Sequence, residues 1–206
     1  MSKKVCDIIR ERIINAYYKP GDFLIEKELA KQLKVSRTPI REALKTLAGE
    51  NLVTIRSHTP TRVSDINLHH FQEMIELRLL LEKGSARLAA QRATEEQIKK
   101  LEQLNEHVKG INNENASELI DCDREFHQII SQAAHNNLIA QHLSIVMIQF
   151  IRINKLLNIK PYIFQADLPK VIKALKRRDA DQMEKLIEDH VELFVKKVRR
   201  RFEITR

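Results

Sequence analysis

The sequence predicts a mainly α protein in two parts: a small N-terminal unit of three helices and a β-hairpin, then a larger all-α bundle. Three observations carry this. Apolar residues recur at helical spacing along most of the 206 residues, while β-branched runs are confined to a short stretch around position 55. The chain holds only 4 Gly and 5 Pro, too few for the frequent turns of a β-sandwich or a Gly-rich nucleotide-binding fold. Its 43% hydrophobic and 31% charged residues suit a chain that buries a core, which sets it apart from disordered sequences.

Val5, Ile8, Ile9, Arg12 and Ile13 follow helical spacing, and this first helix should stop before the turn signal Lys19-Pro20-Gly21. A second helix is expected from Glu26 to Leu33. A third begins around Ser36 to Pro39, where Ser or Thr can cap and Pro is tolerated in the first turn. Ile40, Ala43, Leu44 and Leu47 form its inner stripe, which leaves Thr38, Arg41 and Lys45 facing out and Arg37 at the edge of that face. Leu52-Val53-Thr54-Ile55-Arg56 and Thr61-Arg62-Val63 then flank Ser57-His58-Thr59-Pro60 and read as a two-stranded hairpin. These elements place one domain over residues 1–65 and a second over 66–206. Six helices are expected in the second, near 67–92, 95–110, 117–135, 138–157, 163–178 and 180–201. Thr94 with Gln97, and Asp179 with Gln182, have capping-box spacing.

Charge is uneven along the chain. Residues 1–65 hold 13 Lys and Arg against 8 Asp and Glu, so more than half of the formal net charge of +8 sits in less than a third of the length. Three short helices and a hairpin that carry the positive charge on the third helix and the hairpin make a winged helix-turn-helix. On that reading the third helix enters a major groove. Arg37 and Arg41 are forks able to grip phosphate or read a guanine edge, and Thr38 and Lys45 add backbone contacts. A merely solvated face is the alternative. The closing basic cluster, Lys196, Lys197, Arg199, Arg200 and Arg201, reads as a solvated helix end. No apolar run reaches the length of a membrane span and the first residues lead into a charged amphipathic segment, so a cytoplasmic protein is expected. Cys6 and Cys122, far apart and outside any CxxC pair, read as ordinary thiols.

Pro20-Gly21-Asp22-Phe23-Leu24, Glu26-Lys27-Glu28-Leu29-Ala30, Val35-Ser36-Arg37-Thr38-Pro39-Ile40-Arg41-Glu42-Ala43-Leu44 and Leu47 closely resemble the DNA-binding domain of the GntR family of bacterial transcription regulators. The resemblance implies that Arg37, Thr38 and Arg41 take the family's DNA-contacting positions, with Lys27 as a further contact. At the wing tip, where many members have glycine, Ser57 and His58 stand here and are carried as DNA-binding candidates. In the second domain, Glu76-Leu77-Arg78-Leu79-Leu80-Leu81-Glu82, Ala86-Arg87-Leu88-Ala89-Ala90 and Phe126-His127 with Asp123 before it resemble the helical effector (FCD) domain of the FadR-type branch.

On a helical wheel, Asp123 and His127 fall in one apolar arc with Leu119, Ile120, Phe126, Ile130 and Ala134, while Asp121, Arg124, Glu125 and Gln128 fall opposite. A carboxylate and an imidazole one turn apart are thus buried, which is unfavourable unless they are paired or hold a cation. His190 lies within a second stripe made by Met183, Leu186, Ile187, Leu193 and Phe194. Asp123, His127 and His190 suit a divalent transition metal such as zinc, nickel or manganese. The resemblance implies an Asp and three His in metal-binding members, and at the fourth position this chain has Leu168, which cannot ligate. Three arrangements stay open: a three-ligand site completed by water or an effector carboxylate, a substitute ligand such as Gln165 or Asp167, or a metal-free pocket.

Arg78 shares a face with Phe71, Met74, Ile75, Leu81 and Ser85, with Glu82 one turn on. It reads either as half of a buried ion pair or as the clamp for an anionic effector, and the resemblance implies a place at the effector cavity. Leu77, Leu79, Leu80 and Leu88 make this helix apolar nearly all round, so it wants cover on both sides. The expectation is a homodimeric transcription regulator, a repressor that binds an inverted-repeat operator in double-stranded DNA and answers to a small metabolite, a carboxylate being favoured. A metal-dependent hydrolase using the Asp/His/His cluster is the rival reading. It lacks a separately placed general base and leaves the N-terminal domain unexplained.

Overall fold

The structure, a computed structural model, describes residues 2–66, 68–112, 115–157, 159 and 164–204, the side chains of 68–70, 164–166 and 202–204 excepted. Among these residues there are nine helices and three short strands, and the chain divides into two compact units, Met1–His70 and Phe71–Arg206. No helix among the described residues is long and apolar enough to cross a membrane.

In the first unit α1 (Ser2–Ile14) turns Val5, Ile9 and Ile13 inward, the positions that helical spacing marks as its apolar stripe. It packs on α3 (Arg37–Gly49), whose buried residues are Ile40, Ala43, Leu44 and Leu47. The Arg10 guanidinium fastens the two: Nε and Nη2 donate to the two carboxylate oxygens of Glu50 just past α3, each over 2.7 Å. Between them α2 (Glu26–Leu33) ends on Lys34, whose left-handed backbone (φ 53°) turns the chain into α3. Ser36 stands at the N-cap of α3 with extended backbone, yet its hydroxyl makes no capping hydrogen bond.

The hairpin is shorter than its β-branched runs imply and has a third strand. β1 (Phe23–Leu24) and β2 (Val53–Thr54) both pair antiparallel with β3 (Thr61–Val63), in the order β1-β3-β2. Arg62 faces Phe23 on one side and Thr54 on the other. A two-residue strand is too short to display a period of two, which is why β1 does not stand out in the sequence. Gly21 ahead of it adopts φ +90°, a left-handed backbone that favours glycine, and a Cβ there would also press on the Arg62 guanidinium at 3.0 Å.

The second unit consists of α4 (Leu68–Arg92), α5 (Glu95–Gly110), α6 (Ala116–Ala133), α7 (Asn137–Leu157), α8 (Phe164–Lys176) and α9 (Ala180–Ile204). The starts of α5, α6 and α9 are written in cap chemistry. Thr94 and Gln97 form a full capping box, Asn115 accepts from the Glu118 N–H, and Asp179 accepts from the Gln182 N–H. The helix buried on every side is α7, over residues 149–154, rather than α4. On α4, Leu77 is 46% and Leu80 74% exposed, while Phe71, Met74, Ile75, Ala86, Ala89 and Ala90 line the core. Cys6 and Cys122 are buried free thiols, and burial together with nearby carboxylates pushes Cys122 up to about 11.

Leu47 on the inner stripe of α3 is wholly buried. Leu47→Ala is expected to lower stability by about 2–5 kcal/mol in urea unfolding followed by circular dichroism. A loss below about 1 kcal/mol would show that this core is not close-packed.

Candidate functional site

Two groups of side chains stand out, one in each unit. In the first, Lys27 on α2 and Arg37, Thr38, Arg41 and Lys45 on α3 are all exposed, while the opposite side of α3 is buried. Lys45 Nζ donates to Glu42 one turn back at 3.1 Å. Arg41 is held more firmly. Its Nε and Nη2 donate to the two oxygens of Glu26, at 3.1 and 3.0 Å. At the wing tip Ser57 and His58 are exposed, and His58 takes φ +60°, a left-handed backbone that glycine adopts more readily. That conformation gives the tip's usual glycine a physical reason.

In the second unit, α4, α6 and α9 bring Arg78, Glu82, Asp123, His127 and His190 into one buried cluster. Helical spacing explains each: Arg78 and Glu82 are one turn apart on α4, Asp123 and His127 one turn apart on α6. Arg78 is 2% exposed. Its Nε donates to Glu82 Oε1 at 2.7 Å and its Nη2 to His127 Nε2 at 3.0 Å, while its guanidinium lies over the Phe150 ring, 4.6 Å from the centroid. Arginine offers only donors, so His127 Nε2 accepts, and the proton resides on Nδ1, 3.1 Å from Glu82 Oε2. His190 Nε2 lies 3.2 Å both from His127 Nε2 and from Asp123 Oδ1. The second contact is within ion-pair reach but poorly aligned, and Asp123 Oδ1 has no hydrogen-bond partner.

Burial alone would raise the Glu82 carboxyl, but the charge of Arg78 and then the His127 imidazole outweigh it and hold it at about 2. Asp123 is likewise raised by burial and lowered further by His127, His190 and Arg78, to about 2. Two carboxylates, one guanidinium and two imidazoles thus share one buried place.

Asp123, His127 and His190 each direct a ligand atom to a common region, all within 4.8 Å of one another. The donor set and the orphaned Asp123 oxygen fit a divalent transition metal, with His127 Nε2 at present engaged by Arg78. Leu168 is buried and offers no donor. Of the substitutes, Asp167 pairs with Lys170 at 3.1 Å, and the Gln165 side chain lies outside the described residues. A groove of about 310 Å³ between α6 and α7 reaches His127, with Leu143, Met147 and Ile151 on its apolar side and Gln128 and Ser131 among its polar lining.

Sequence reasoning paired Glu82 with Arg78 but missed its second role, as partner of His127. It also missed Glu26 as the partner of Arg41. Both contacts join residues far apart in the chain, which periodicity within one helix cannot reveal.

A winged helix-turn-helix joined to a helical domain with a buried polar cluster defines the class of two-domain transcription regulators. Residues 1–63 match the profile of the bacterial regulatory proteins of the gntR family, and residues 73–193 match the FCD domain. The chain belongs to the GntR family, with an FCD effector domain. It is similar to the Nta operon transcriptional regulator of Aminobacter aminovorans, 36% identical over 55% of this chain and 54% of that protein, so the match spans about half of that relative's length. It is also similar to the HTH-type transcriptional repressor RspR of Escherichia coli, 28% identical over 97% of this chain and 89% of RspR. Among solved structures, E. coli McbR/YncC shares the fold, with a TM-score of 0.83 over 98% of each chain at 21% identity. GntR regulators bind DNA through the helix-turn-helix domain, and FCD domains bind effectors and, in some members, metal ions. These likenesses lend no support to a hydrolase.

Glu82→Gln leaves Arg78 buried without its carboxylate, and a loss of about 3–5 kcal/mol is expected at neutral pH. Because Glu82 in the folded chain sits at about 2, below its ordinary 4.5, its contribution is full above 4.5 and fades as pH falls towards 2. Urea midpoints at neutral pH and at about pH 3 should therefore converge between wild type and variant. A constant difference would place the effect elsewhere.

Proposed function

We propose that the protein is a transcription repressor that binds an inverted-repeat operator as a homodimer and changes its DNA affinity when a small carboxylate enters the FCD domain. The observation that carries the DNA half is the exposed polar face of α2 and α3, with Lys27, Arg37, Thr38, Arg41 and Lys45 displayed while the reverse of α3 is buried. Arg37 and Arg41 contact base edges or phosphate, Thr38, Lys27 and Lys45 position the backbone, and the wing tip at Ser57 and His58 approaches the neighbouring groove.

In the effector half, Arg78 binds the carboxylate, because it is the buried cation beside the cluster. Asp123, His127 and His190 hold a divalent metal such as zinc, nickel or manganese. When bound, the metal would supply a Lewis-acidic position for an anionic ligand. The groove between α6 and α7 admits the rest of the effector, with apolar contact available at Leu143, Met147 and Ile151. Contacts that differ between two conformations of the dimer then shift operator affinity. Leu77 and Leu80, exposed one turn apart on α4, support a dimer seam there.

Anisotropy titrations of the full chain against a selected operator duplex and a random duplex test the DNA reading. Arg37→Ala is expected to weaken operator binding about tenfold or more, with a smaller change on random DNA. Equal affinity of the wild type for both duplexes, or no loss in the variant, would overturn it. Leu80→Asp is expected to shift the protein to monomer in sedimentation at micromolar concentration. An unchanged oligomer would move the interface away from α4.

A further inference from the structure

Arg41 is not a free cation on the face of α3. Two of its five N–H groups, on Nε and Nη2, are taken by the two oxygens of Glu26. Glu26 is the first residue of α2, where the helix dipole favours a carboxylate, and it is half-buried at 32% against 62% for Arg41. It is therefore the better anchored of the pair. The fork occupies the side-on edge of the guanidinium and leaves the end-on edge, one Nη2–H and the two Nη1–H, directed away from Glu26. Lys45 differs, since its single contact with Glu42 joins two exposed side chains and opens readily.

From this geometry we infer that Glu26 is a positioning residue that sets the specificity of Arg41, holding its guanidinium so that only the end-on edge can pair with the O6 and N7 acceptors of a guanine. The inference rests on the DNA-reading role proposed above for α3. Two consequences follow from elementary chemistry. A long exposed arginine ordinarily loses rotamer freedom when it binds, and a side chain already held by a bidentate carboxylate has less to lose. A carboxylate beside the guanidinium also repels phosphate, so it weakens the sequence-independent grip that an unbuttressed arginine would exert. Both effects widen the gap between a guanine at one operator position and any other base there.

The test is selection of binding sites from a randomised duplex library by the full chain, with sequencing, for wild type, Arg41→Lys, Glu26→Ala and Glu26→Gln. Arg41→Lys identifies the position that Arg41 reads. At that position Glu26→Ala is expected to reduce the guanine preference about tenfold, with tighter binding to random duplex, and Glu26→Gln to fall between. Thermal midpoints are recorded alongside, because a purely structural role would lower them and leave base preference unchanged. Full guanine preference in Glu26→Ala overturns the inference. So does loss of preference only at a position that Arg41→Lys leaves intact, since Glu26 would then read a base itself. If the wild type selects no sequence at all, the operator-reading role of α3 fails first, and the inference with it.

Discussion

The second domain is organised around a buried guanidinium. Arg78 is removed from water, so its charge must be met by protein, and the helices supply Glu82 on its own helix, His127 on α6 and the Phe150 ring on α7. Each of these fixes something further. Glu82 Oε2 lies beside His127 Nδ1, and His127 in turn abuts His190 on α9, which faces Asp123. Four helices are thereby tied through one polar centre that an apolar core would not have required. Such a centre makes a bundle sensitive to what enters it, because an added anion or cation changes the balance on which several helices depend.

The centre carries an imbalance. Two carboxylates held ionised at about 2 share the centre with one guanidinium and two imidazoles, and one oxygen each of Asp123 and Glu82 lacks a hydrogen-bond partner. A fully satisfied network would favour a purely structural reading. The deficit favours a site built for a ligand, and it explains why the loss of the expected fourth donor at Leu168 does not by itself remove the capacity to hold a cation. In the first domain the polar contacts serve another end. Arg10 and Glu50 join α1 to the end of α3, and Arg41 and Glu26 join α3 to the start of α2.

Much of this is legible in the sequence. The inner stripe of α3, the extent of α2 and the capping box at Thr94 rest on local spacing and local hydrogen bonds, which a one-dimensional pattern contains. The inward turn of Asp123, His127 and His190 is likewise a matter of helical phase. Partnerships across the fold are not. The second contact of Glu82, the Glu26 fork and the pairing of Phe23-Leu24 with β3 depend on how elements meet. What covers α4 is not legible either. A helix apolar all round says that burial is needed but not by what, and within one chain Leu77 and Leu80 remain exposed.

The most direct test of the buried centre is its metal content. Protein stripped with a mild chelator and reloaded with zinc, nickel or manganese would be analysed by elemental mass spectrometry, as wild type and as His127→Ala. The expected result is about one metal per wild-type chain, lost in the variant. No metal in either protein would contradict the ion-binding centre and leave Asp123, His127 and His190 as polar packing around Arg78.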